Sequence, residues 1–236
     1  SQHYVARPLL IVGVLHSAVT YGQETQKETL VIANSKAWKP FSYLTPDGEP
    51  KGILIDFWRE YAVRNDVHVQ FLLLDWEDSL LAVKEGRADI HAGLIFSEER
   101  NQYLNFGTVI MPIDTQLYVN SDLLGIDVDS VLAGESAMEV GLVKGGYEET
   151  FVRKRYPNAA IKRFANSDAL LKAVTDKKIF LFVVDTQVSN FYMATTSDAV
   201  TFLPALHLYS KSLRIATGEA SSCLLYTSDA ADDTCC

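Results

Sequence analysis

The sequence predicts an α/β fold. Across residues 28–221 the apolar residues switch repeatedly between a two-residue period and a three-to-four-residue period, as strands alternating with helices require. The alternation comes in two sets separated by a less regular stretch. An apolar content of 48% over 236 residues is enough for a packed core, either one large domain or two compact lobes of about 100 residues each.

In chain order, Leu30–Ala33 is a short apolar strand. Asp47-Gly48, within TPDGEPKG, is a turn signal. Leu54, Phe57, Trp58, Tyr61 and Ala62 recur at helical spacing and predict a helix over 54–64 with a buried aromatic face. Val67, Val69, Phe71 and Leu73 alternate as a strand. Trp76, Leu80, Leu81 and Val83 mark a second helix, stopped at Gly86, and Ala88–Ala92 is the next strand. The second set runs strand Glu139–Val143, helix Glu148–Tyr156, strand Ile161–Phe164, helix Ser167–Val174 and strand Phe180–Val184. The runs Leu80–Val83 and Leu170–Val174 hold comparable places before a strand in each set, an internal echo consistent with two similar lobes.

Charge and cysteine usage exclude several classes. A net charge of −9 without a basic cluster argues against nucleic acid and anionic membrane surfaces as partners. Cys223, Cys235 and Cys236 are the three cysteines, so the body of the chain offers no disulfide framework and no thiolate metal site. This is compatible with an oxidising periplasm. The histidines His3, His16, His68, His91 and His207 show no metal-ligand spacing. Lys144-Gly145-Gly146 lacks the rest of a phosphate-binding loop, and no nucleophile-elbow motif occurs. Neither a catalytic residue, a metal site nor a cofactor is expected.

The two ends read differently from the body. Arg7 precedes the apolar run Pro8–Leu15 and then small residues, with a plausible cut after Gly22. Residues 1–22 are therefore expected to be a secretion signal, the alternative being a buried first strand. Cys223–Asp233 resembles the translation of a sequencing-library adapter. Residues 222–236 are accordingly expected to be a non-native tail, with the natural sequence cut near Ser221.

Order and spacing from Thr29 to Phe106 resemble a known family. LVIANS, the loop with Pro40-Phe41-Ser42-Tyr43, PDGEPKGILIDFWREYAV and DWEDSLLAVKEGRADIHAGLIFSEERNQYLNF are similar to the first lobe of the family 3 bacterial extracellular solute-binding proteins. The resemblance implies the two-lobe periplasmic binding protein type II architecture, each lobe a mixed sheet flanked by helices. It implies lobe one over 28–113 plus 213–221 and lobe two over 114–212, with crossings near Met111–Asp114 and Lys211–Leu213. Leu213–Thr217 would be a strand back in lobe one, and the final lobe-one helix of the family is expected to be missing.

It also implies a site on loops at strand ends, where open α/β sheets place ligands. Trp38 would stack on the ligand. Phe41 either contacts it or packs under the loop beside Pro40. Trp76 either walls the cleft or anchors its helix. Arg100 closes Ser97-Glu98-Glu99-Arg100, which resembles the segment whose arginine clamps a ligand carboxylate. A planar guanidinium suits that task, although an arginine at a helix start also pairs with neighbouring glutamates, and Ser97 could be an N-cap. Asp185, ending an apolar strand, would hold an α-amino group or cap the helix from Thr186.

Two positions depart from the family pattern. Ile95 stands where many relatives carry a hydroxyl. Gly145-Gly146-Tyr147 replaces a loop that supplies a threonine hydroxyl to the carboxylate, so the loop's backbone N–H groups remain as anion donors. Tyr147 either hydrogen-bonds a ligand or blocks the cleft. The expected function is periplasmic binding of a small polar ligand, an amino acid, an organic acid or neither. Three roles follow. The first is the sensory input of a membrane-bound signalling protein, which Pro204–Thr217 resembles. The others are the binding component of an ABC importer and an enzyme on the same scaffold. The partners expected are a small-molecule ligand and a membrane signalling or transport protein, with no nucleic acid.

Overall fold

Eight strands form one mixed sheet in the computed structural model, which describes residues 27–123, 125–196, 202–219 and 221. The expected signal segment and the expected non-native tail lie outside the described residues. The first set of alternating elements builds β1 (Thr29–Ser35), α1 (Ile53–Asn65), β5 (His68–Leu74), α2 (Trp76–Lys84) and β6 (Ile90–Ile95). Between β1 and α1 lie three short strands, β2 (Ala37–Trp38), β3 (Ser42–Leu44) and β4 (Pro50–Lys51), which form a separate antiparallel sheet. The second set builds α3 (Val128–Leu132), β8 (Val140–Val143), α4 (Tyr147–Arg155), β9 (Ile161–Phe164), α5 (Ser167–Thr175), β10 (Leu181–Asp185) and α6 (Thr186–Thr195).

Two long strands join the sets. β7 (Asn105–Asn120) and β11 (Phe202–Thr217) pair antiparallel from Asn105 opposite Thr217 to Asn120 opposite Phe202. The sheet order is β5-β1-β6-β11-β7-β10-β8-β9. In the first lobe β1 lies parallel to β5 and β6, and β11 closes the group antiparallel. In the second, β8 lies parallel to β9 and β10, and β7 closes it antiparallel. Each lobe is thus a mixed sheet, and the fold is the two-lobe α/β architecture. At its waist Met111 pairs with Leu213 and Asp114 with Ser210, so the chain passes between lobes as a two-stranded ribbon. The sequence reading expected a strand only over Leu213–Thr217; β7 and the first part of β11 were not anticipated.

Local chemistry sets the elements that aim the site. Trp58 of α1 is buried and donates from Nε1 to Ala92 O at 3.0 Å, fixing α1 against β6. Gly52 precedes α1 at φ 128°, and a Cβ there would stand 2.3 Å from Phe41 O, so only glycine lets the loop press this close. The cores of both lobes are apolar side chains of strands and helices, among them Ile32, Leu54 and Leu94 in the first and Leu142, Leu181 and Val183 in the second. Their effect at the site is to hold the strand ends rigidly.

Candidate functional site

The carboxyl ends of β1, β6, β8 and β10 converge on one cavity between the lobes, as expected for open α/β sheets. It is lined by Ser35, Trp38, Trp76, Ile95 and Arg100 on one side and by Val143, Gly146, Tyr147, Glu148 and Asp185 on the other. Its volume is about 40 Å³, room for on the order of three waters or a small polar group. The lobes are closed upon each other. Trp76 Nε1 donates to Gly145 O at 3.1 Å, Asn166 Nδ2 to Asp75 Oδ1 at 2.7 Å, and Lys144 pairs with Glu77 at 2.5 Å.

Asp185 ends β10 and stands at the start of α6, yet its side chain caps no helix N–H. Its carboxylate instead accepts from Trp38 Nε1 at 3.0 Å and from Thr115 Oγ1 at 2.7 Å. A carboxylate offers about four acceptor positions, so two remain for a donor in the cavity. Burial pushes its pKa up to about 6, against the pull of those two hydrogen bonds.

Trp38 packs edge-on to Trp76 at 5.3 Å and against Phe41 at 4.4 Å between ring centroids. Phe41 is 0% exposed and does not line the cavity. Its ring sits under Trp38, because Pro40, Gly52 and the start of α1 fold over it, and it supports the wall without reaching the ligand space. This corrects the expectation of direct contact. Trp76 lines the cavity and also begins α2, so both alternatives hold for it.

Arg100 is 5% exposed. Its guanidinium donates from Nη1 to Ile95 O at 2.7 Å and from Nη2 to Gly145 O at 3.0 Å, one carbonyl from each lobe. It also lies over the Trp76 ring, 5.8 Å from the centroid. Burial lowers its pKa, which nearby Tyr103 and Glu148 oppose. Ser97 Oγ accepts from Arg100 N at 3.2 Å, but the residue at the N-cap of the short 3₁₀ segment that follows is Glu99, not Ser97. His91, fully buried behind Trp76, shares a hydrogen bond with Ser79 Oγ at 3.0 Å. Burial and then the Arg100 charge hold its pKa down at about 3, so it stays neutral.

The second-lobe wall holds residues that the sequence reading passed over. Glu148, in the first turn of α4, turns its carboxylate over Gly146: a Cβ on Gly146 would lie 2.4 Å from both carboxylate oxygens. Burial and then the Asp185 charge push its pKa up to about 8. Tyr147 packs edge-on against Tyr209, centroids 5.1 Å apart. Tyr209 is buried behind it. An acid in a first helical turn is so common as a complement to the helix dipole that Glu148 carried no distinguishing signal. A strand tyrosine in an alternating stretch carried none either.

Comparison with known proteins gives a consistent placement. The model of the bacterial extracellular solute-binding proteins, family 3, matches residues 30–193. A probable histidine-binding protein of Campylobacter jejuni is 24% identical over 178 residues, covering 74% of this chain and 66% of that protein. The chain thus spans about two thirds of that relative. Among solved structures, an ancestral arginine-binding protein bound to glutamine superposes with a TM-score of 0.73 at 21% identity, covering 85% of this chain and 88% of the other. A histidine kinase sensor domain with similarity to periplasmic binding proteins gives 0.72 at 17% identity, covering 84% and 86%. At these identities the structural likenesses establish the fold.

Proposed function

The chain belongs to the bacterial extracellular solute-binding proteins, family 3, and from that premise we propose that it is a periplasmic domain whose two lobes close on a small, amino-acid-like polar ligand. The observation that carries this reading is Asp185. Its carboxylate, with acceptor positions to spare, lines the cavity together with Trp38, Trp76, Tyr147 and Arg100. Aromatic walls hold a ligand's apolar part, and a buried carboxylate holds its ammonium. The family and its binding-protein neighbours support a binding role over a catalytic one.

The role proposed is the sensory input of a membrane-bound signalling protein. The resemblance of Pro204–Thr217 to the closing segment of such modules and the likeness to a histidine kinase sensor domain support it. The binding component of an importer is the second reading, favoured by the similarity to the probable histidine-binding protein.

Asp185→Asn tests the site, because it keeps the shape and removes the charge that an ammonium needs. Calorimetry of amino acids and of simple organic acids on both proteins should show amine-bearing ligands weakened strongly and plain acids little. Equal weakening of both classes would make Asp185 a structural residue and end the amine-binding reading.

A further inference from the structure

By the resemblance drawn above, Gly146 stands where the family would carry a hydroxyl, and the space its missing side chain leaves is filled. The Glu148 carboxylate lies there, over the first turn of α4, where helix N–H groups and the helix dipole would otherwise receive an anion from solution. Glu148 and Asp185 both line the cavity with one arginine between the lobes, and two of that arginine's five donors already hold Ile95 O and Gly145 O. A ligand carboxylate entering here would meet two acids and no loop hydroxyl. A ligand cation would meet the Asp185 carboxylate, the Glu148 carboxyl, which gives up its proton as the cation binds, and the ring of Trp38; the Trp76 and Tyr147 rings already lie under Arg100 and Lys211.

We propose that Glu148 fills the carboxylate subsite from within, so that this cleft selects small organic amines or guanidines over ligands presenting a free carboxylate. The inference rests on the solute-cleft reading above and narrows it: the amino end of an amino-acid-like ligand is retained and the acid end rejected. Like charges held close in a buried site raise each other's proton affinity, and the elevation of Glu148, with burial first and Asp185 second among its causes, agrees with a site short of one positive charge.

Matched pairs test it: arginine against agmatine and histidine against histamine, each pair differing by one carboxylate. They are measured by calorimetry on the wild-type chain, on Glu148→Gln and on Gly146→Thr/Glu148→Gln, with melting curves to confirm folding. Wild type should prefer each decarboxylated partner. Glu148→Gln should lose about ten- to a hundredfold of that affinity, one charge-assisted hydrogen bond, and the double variant should gain affinity for arginine or histidine. Wild-type binding of arginine or histidine as tight as that of its amine would overturn the selectivity while leaving the cleft reading intact. That comparison decides even if a variant fails to fold. Failure of all four probes to bind any folded protein would overturn both.

Discussion

The two walls of the cleft are built from different materials. The first-lobe wall presents rings and one guanidinium, with Trp38, Trp76 and Arg100 each braced by a neighbour: Phe41 beneath Trp38, His91 behind Trp76, and Ile95 O on Arg100. The second-lobe wall presents two carboxylates and a glycine pair at a helix start, Asp185, Glu148 and Gly145-Gly146. The first wall is shaped by packing. The second is shaped by charge, so a single isosteric substitution changes what it accepts. Similar lobes in one fold can therefore divide the work, one supplying surface and the other discrimination.

Arg100→Ala should break this division most severely. It removes the donor that spans Ile95 O in one lobe and Gly145 O in the other, leaving Ile95 O without that partner at about 1–3 kcal/mol and Gly145 O held by Trp76 Nε1 alone. Binding should weaken by about 2–5 kcal/mol for amine and carboxylate probes alike, read by calorimetry. A loss confined to carboxylate-bearing probes would instead make Arg100 a ligand clamp and contradict the role given to Glu148.

A smaller effect sharpens the acidic wall. Glu148 is raised from an ordinary 4.5 to about 8 in the fold, so between those values the folded closed form holds a proton that the unfolded chain has released. Stability is then highest below about 4.5 as far as this group is concerned, falls as pH rises toward about 8, and levels off above. Asp185 acts in the same sense in a lower window, from 3.8 to about 6. His91, lowered from 6.5 to about 3, acts oppositely and costs stability as pH falls through that range. From pH 6.5 to 8 Glu148 dominates. The unliganded melting temperature should decline over that interval in wild type and stay nearly flat in Glu148→Gln; equal slopes would contradict the buried placement of its carboxyl.

How much of this was legible before the structure depends on the kind of signal. Helices with apolar stripes, such as α1 and α2, were readable because a 3.6-residue period and the stop at Gly86 are local properties. Trp38, Trp76, Arg100, Tyr147 and Asp185, singled out by position at strand ends and by family resemblance, all line the cavity. Phe41 does not, since an aromatic beside Pro40 gives the same local signal whether it faces a ligand or the core. β7 was missed because Gly107 and Pro112 interrupt a strand pattern, and only its long partner β11 makes it one strand. Glu148 was missed because its meaning lies in the void over Gly146, a contact between side chain and backbone that no spacing rule encodes.

The central claim is that a solute holds the two lobes together across the β7–β11 ribbon, where Ile113 and Lys211 pair outside either lobe's flanking strands. Small-angle scattering with and without a saturating probe, agmatine first, tests it most directly. The account predicts a smaller radius of gyration with the probe than without, and a loss of that contraction in Asp185→Asn. An unchanged scattering curve at a probe concentration that calorimetry shows to be saturating would contradict it.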